Sequence, residues 1–263
     1  HRMADSDNHT SDLLLATIKF TFIKIISDYE YFIPLNLPHH ITLKGQPNLI
    51  QNFWTKHFFT GLLIREVRAG LLAKQRIREQ SISTLRSLLQ AHDTDPRFRS
   101  PLAKQRIAGL YFPFVITTIE FHQLNEYLGY EEKLNWLLCF FYIVENCHRE
   151  LLHEWWDSMP SNKHSALFGM MELATEVFQG HPLFKTVSFI MLDMILDFVT
   201  YFDGRPDLPH NEVLHRIFCV MQNLQTNQSI EFIRAHSNLL TVLTNMFADA
   251  IFKYAVTLSP SPT

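Results

Sequence analysis

Glycine is scarce here, with eight residues in a chain of 263. None of the eight sits in a GxxxxGK[ST], GxGxxG or GxSxG arrangement, so loops that cradle phosphate and turns that present a nucleophile have no candidate. Cysteine is scarcer still. Cys139, Cys147 and Cys219 are odd in number and lack paired short spacing, which excludes a disulfide framework and a four-thiolate zinc site. That usage fits a reducing, cytoplasmic compartment. Long apolar runs are missing as well: the most apolar stretch, Val187–Phe202, contains Asp193 and Asp197 and falls short of the roughly 20 residues a spanning helix needs. Valine-rich alternating runs are few, so little argues for strands.

What is abundant is Leu, Ile, Met and 22 phenylalanines, within a composition 47% hydrophobic. A chain of this length and apolar content can bury a sizeable core. The spacing of apolar residues predicts helices over Leu13–Ile26, Asn48–Ala73, Ile77–Gln90, Leu102–Glu126, Glu131–Asn146, Arg149–Ser158, Lys163–Gln179, Leu183–Phe202, Asn211–Gln225 and Ser229–Tyr254. Pro113 is expected to kink the fourth of these, because proline removes an intrahelical bond and crowds the preceding turn. Between the first two, Pro34, Pro38 and Pro47 mark a structured loop. Its residues Tyr29, Tyr31, Phe32, Ile33, Leu35 and Leu37 are too apolar to leave in water, so the loop is expected to pack on the helices either side. The reading is all-α, with residues 1–12 a polar N-terminal segment, 13–258 a single helical region and 259–263 a polar tail. No period near 40 residues repeats, so the sequence pattern alone leaves both a helical bundle and an α-solenoid open.

No constellation for catalysis stands out. Cys147, His148, His153 and Glu154 cluster in CHRELLHEWWD, but the histidines are five apart, whereas a zincin helix needs them four apart to share one face. Asp193 and Asp197 would project together from one helix, yet a paired carboxylate without further ligands reads as a polar stripe. No cofactor and no metal are expected. The one charge asymmetry lies between Arg65 and Arg106, where ten of the 23 lysines and arginines meet four acids, a local net of +6. Arg76, Arg78, Arg86, Arg97, Arg99 and Lys104 are the candidate interaction surface, expected to gather at one end of the Ile77–Gln90 helix and in the turn beyond it, with Arg78 and Arg86 facing solvent. Such a zone suits weak contact with an anionic membrane or an acidic protein. Nucleic acid is not expected, since the chain as a whole is near neutral and no reader motif accompanies the patch.

Three segments carry a family resemblance: SDYEYFIPLNLP at Ser27–Pro38, KHFFTGLLIREV at Lys56–Val67, and AHDTDPRF with KQRIAGLYFPF across Ala91–Phe114. Their order and wording resemble the central region of the dedicator-of-cytokinesis (DOCK) family, large activators of Rho-type small GTPases. The residues that carry the resemblance are Pro34, Asn36, Pro38, His57, Gly61, Arg65, Glu66, His92, Asp95, Arg97, Tyr111 and Pro113, then Trp155 and Trp156 in a Leu-Leu-x-x-Trp-Trp run. In that family the region is an irregular armadillo/HEAT-like α-solenoid between a lipid-binding C2-like domain and the exchange domain. The resemblance therefore implies a non-catalytic scaffold module of a guanine nucleotide exchange factor. It also implies flanking DOCK domains as protein partners, a Rho-family GTPase engaged through a separate domain, and a cytoplasmic location with recruitment to the inner face of the plasma membrane. The catalytic lobe has no counterpart among these residues, so no exchange activity carries over and the chain is not expected to be an enzyme. The alternative is a stand-alone helical-bundle enzyme or ligand-binding protein.

Overall fold

The computed structural model describes residues 2–29, 32, 58–202, 211–224 and 230–258, with the side chains of 2–10, 58, 211, 230 and 246–258 left aside. Every regular element among them is helical: α1 (Arg2–Ser27), α2 (Phe58–Leu71), α3 (Gln75–Thr94), α4 (Pro101–Glu120), α5 (Tyr130–Asn146), α6 (Arg149–Ser158), α7 (Ser161–Val177), α8 (Phe184–Phe202), α9 (Asn211–Leu224) and α10 (Ile230–Leu258). Short 3-10 turns at Pro96–Phe98 and His122–Tyr127 precede and follow α4. The chain is all-α.

Local chemistry explains the boundaries. The Asp95 carboxylate accepts from the Arg97 backbone N–H at 2.9 Å and starts the first 3-10 turn. Ser100 then caps α4 by accepting from the Ala103 N–H at 3.2 Å, with Pro101 at the first helical position, where its missing donor costs nothing. The α4 helix runs through Pro113 to Glu120 and is succeeded by a 3-10 turn, where the sequence pattern had it continue to Glu126. After α7, Gly180 adopts a φ of 74°, a left-handed conformation that glycine takes without a Cβ penalty. The α1 helix begins at Arg2, taking in residues that the polar composition marks as a separate segment. Of the expected helix at Asn48–Ala73, residues 48–57 lie outside the described residues.

The chain divides into two compact units, His1–Leu152 and His153–Thr263. In the first, α1 packs on α3 and α3 on α5, while α2 packs on α4. Successive helices close each turn of the array, α2 against α3 and α4 against α5. Gly70 sets the closeness of the α2–α3 contact, because a Cβ there would sit 2.5 Å from the Ser81 side chain. In the second unit α7 packs on α9 and α8 on α10, and α8 also touches α7 and α9. Among the described residues, α2 with α4, α3 with α5, α7 with α9 and α8 with α10 stack as alternate helices.

Candidate functional site

The six candidate cations do not form one patch. Arg76 and Arg78 lie in the first turn of α3, whereas Arg97, Arg99 and Lys104 lie beyond its far end. At 1.5 Å per residue, a 20-residue helix puts about 30 Å between those groups. Arg78 also departs from the expected solvent-facing position. Its side chain is only 13% exposed, and its Nε donates to Glu132 Oε1 at 2.7 Å, the carboxylate being 3% exposed. The other Glu132 oxygen accepts from the Gly129 N–H at 2.9 Å, so one side chain both caps α5 and grips α3. Helical periodicity could not reveal this, because the partner lies 54 residues away. Arg86 is half-buried as well. Arg97 and Arg99 are exposed, with Arg97 held by Asp95 at 2.6 Å, and the half-buried Lys104 reaches Asp93 at 2.6 Å.

Several motif residues do converge, around His92. The imidazole is buried; its Nε2 shares a hydrogen bond of 3.0 Å with the Tyr111 hydroxyl, and its ring stacks on Phe32 at 6.0 Å and meets the edge of Phe98 at 6.2 Å. Burial lowers its pKa from 6.5 to about 4, with Asp95 pulling it back up and Arg97 pushing it further down. It is therefore neutral and structural at physiological pH. Asp95 in turn is held below its usual range, first by the Arg97 side chain donating to it. A small hollow of about 80 Å³ lies here, lined by Ser27, Tyr29, Phe32, His92, Asp95 and Arg97 among others. Phe32 is buried against Phe59 and His92. Pro34, Asn36, Pro38 and His57, with the rest of the proline-rich loop, lie outside the described residues. Gly61 is buried in α2, Arg65 is exposed, and Glu66 pairs with Lys19 of α1. Tyr111 and Pro113 are buried in α4.

In the second unit, Trp155 and Trp156 are both buried. Trp156 meets Phe198 edge-on at 5.1 Å, and Phe198 also contacts His164, Phe168 and Phe202. Two residues weighed separately in the sequence come together: His153 Nε2 lies 3.2 Å from Asp197 Oδ1, with the His153 ring stacked 4.0 Å from Tyr201. Among the described residues no group of three or more His, Cys, Asp or Glu side chains converges as metal ligands would, and no helix is long and apolar enough to cross a membrane. Burial pushes the Cys139 thiol up to about 12, far from thiolate reactivity. Several of the buried polar groups join helix to helix, as Glu132 does with Arg78 and His92 with Tyr111.

These features define a helical packing module with no assembled catalytic centre among the described residues. No protein family profile matches the chain, and no solved structure matches it. Similarity to curated proteins is specific, however. The chain is 36% identical over 111 residues to dedicator of cytokinesis protein 9 of Homo sapiens, covering 39% of this chain and 5% of that protein. It is 29% identical over 131 residues to dedicator of cytokinesis protein 8 of Mus musculus, covering 38% of this chain and 6% of that protein. A longer match, 169 residues at 25% identity and 51% of this chain, joins it to dedicator of cytokinesis protein 6 of Mus musculus. By sequence the chain is similar to several proteins of the dedicator-of-cytokinesis family, and it spans about a twentieth of the length of these relatives.

Proposed function

We propose that this chain is a non-catalytic scaffold module of a DOCK-type guanine nucleotide exchange factor for Rho-family small GTPases. It holds flanking domains at fixed spacing and offers surface to protein partners. The observation that carries this reading is the match to several dedicator proteins on a chain whose described elements are all helices. Stacking of alternate helices inside each unit supports an armadillo-like solenoid over residues 13–258, since such arrays grow by each helix pair contacting its neighbours. The buried links at His92 and Glu132 support rigidity, the property a spacer needs. In this reading the GTPase is engaged through a separate domain, and the module works in the cytoplasm, with recruitment to the inner face of the plasma membrane.

The test is loss of fluorescent GDP from a panel of purified Rho-family GTPases in the presence of the 263-residue chain. No acceleration over the spontaneous rate is expected. Clear acceleration of any member would overturn the non-catalytic assignment.

A further inference from the structure

The hollow beside His92 has features that helix packing in the first unit does not use. Ser27 and Asp28 at the end of α1, His92 in the last turn of α3, and Asp95 and Arg97 in the turn beyond are among its lining residues. Two helices of 26 and 20 residues thus end at one small space. A helix C-terminus carries the equivalent of about half a negative charge, so both ends favour a cation. The side chains agree. Asp28 is exposed and has no ion pair among the described residues, whereas Arg97 commits Nε and Nη2 to Asp95 at 2.9 and 2.6 Å. With Asp95 and Arg97 cancelling and His92 neutral, Asp28 leaves the lining negative. Ser27 is 6% exposed, and its buried Oγ has no hydrogen-bond partner. Such a hydroxyl costs free energy unless something binds it, and rotation about χ1 alone turns it toward a guest.

We infer that this hollow is a binding site for a primary ammonium group, of the kind a lysine side chain of a partner protein presents, accepted by Ser27 Oγ and the Asp28 carboxylate at the C-terminal ends of α1 and α3. An ammonium has three donors and no acceptor, which matches a lining that offers free oxygen acceptors. His92 adds Nδ1, since its Nε2 is taken by Tyr111. An anion fails on the same lining: Asp28 and two helix C-termini repel it, and the nearest guanidinium already grips Asp95. Volume selects the head group. About 80 Å³ exceeds the ~10–15 Å³ that one water needs and falls below the ~300 Å³ at which whole-metabolite sites begin, so the tip of a longer chain fits and a nucleotide does not. The inference deepens the scaffold reading by giving the partner surface a chemistry. Nucleotide exchange by the chain would overturn that reading and leave this site standing.

Nuclear magnetic resonance of the whole chain with isotope-labelled histidine tests it, the His92 Hε1 signal serving as reporter once identified through His92→Phe. Propylammonium chloride at neutral pH should shift that signal along a saturating curve with its midpoint in the millimolar range. Sodium propionate and sodium chloride at matched ionic strength should not. Ser27→Ala removes a hydroxyl that bonds nothing and Asp28→Asn lies at an exposed position, so both should keep the helical circular dichroism of the wild type. Each should raise the midpoint about fivefold, the loss of one hydrogen bond, while Asp12→Asn, exposed on α1 outside the hollow, should leave it in place. A signal that drifts without saturating, or saturates alike in Ser27→Ala and Asp28→Asn, overturns the inference and leaves the hollow to water. Nα-acetyl-lysine amide separates the sources. A midpoint at or below that of propylammonium supports a lysine side chain; no response to it, with propylammonium still saturating, overturns the lysine in favour of a free small amine.

Discussion

The two units solve one problem, locking helix to helix, with different chemistry. The first relies on buried polar pairs: Arg78 with Glu132, His92 with Tyr111, and Trp136 donating to Thr118 at 3.0 Å. The second centres on Phe198, ringed by Trp156, His164, Phe168 and Phe202. Its hydrogen bonds include those of the half-exposed Arg216 to the buried Ser165 and to Glu172, and of histidine to backbone, as at His164 with the Trp156 carbonyl. Directional pairs fix geometry but fail abruptly when one partner goes. Aromatic packing tolerates adjustment and fails in proportion to the volume removed.

Substitution in each unit separates these behaviours. Glu132→Ala strands the Arg78 charge and uncaps α5, and should cost about 3–5 kcal/mol in urea unfolding. Arg78→Met added together with Glu132→Leu should restore most of that, because an apolar pair of similar volume removes the stranded charge. Phe198→Ala should cost a similar 3–5 kcal/mol through its cavity, with no single partner substitution able to recover it. If the Arg78 and Glu132 pair replacement is as damaging as Glu132→Ala alone, the contrast between the units fails.

Acid sharpens the contrast at smaller scale. The folded His92 pKa, about 4, lies below the unfolded value of 6.5, so its contribution is fully present above pH 6.5 and is lost as pH falls from 6.5 to 4. At 1.36 kcal/mol per unit the full loss is about 3 kcal/mol, and His92→Phe should flatten the urea midpoint across that window. His164 is also lowered, chiefly by burial and against the pull of the Trp156 carbonyl, so it adds a loss of the same sign. Equal pH dependence in wild type and His92→Phe would remove His92 from this role.

The smallest effect concerns surface charge. Arg97→Glu with Arg99→Glu should weaken co-sedimentation with acidic liposomes at low salt by less than about 1 kcal/mol per site, since Asp95 already screens Arg97. Lys185→Glu in the second unit should do less. Indistinguishable losses would leave no membrane-facing end.

Helix identity and order were legible because apolar spacing is a local property, and seven of the ten expected helices match described ones to within four residues at each end. The Ile77–Gln90 segment shows where legibility stopped. Its buried residues Ile82, Leu85, Leu88 and Leu89 follow from periodicity, but Arg78 could not be told from Arg76, because only the Glu132 of a later helix distinguishes them. His92 was marked by wording alone; that it is a buried, neutral joint depends on Tyr111 and Phe32 arriving from either side in the chain. The pairing of His153 with Asp197 escaped for the same reason, the two lying 44 residues apart.

Glu132 bears on more than stability. Apolar helix faces built from leucine and phenylalanine look alike from one turn to the next, so α5 could slide along α3 by about 5.4 Å and still bury most of its surface. A single carboxylate that must reach Arg78 while holding the Gly129 N–H admits one axial position. It acts as a registration mark between the two helices. Within the first unit, a change at this one side chain would release that register even where both helices survived.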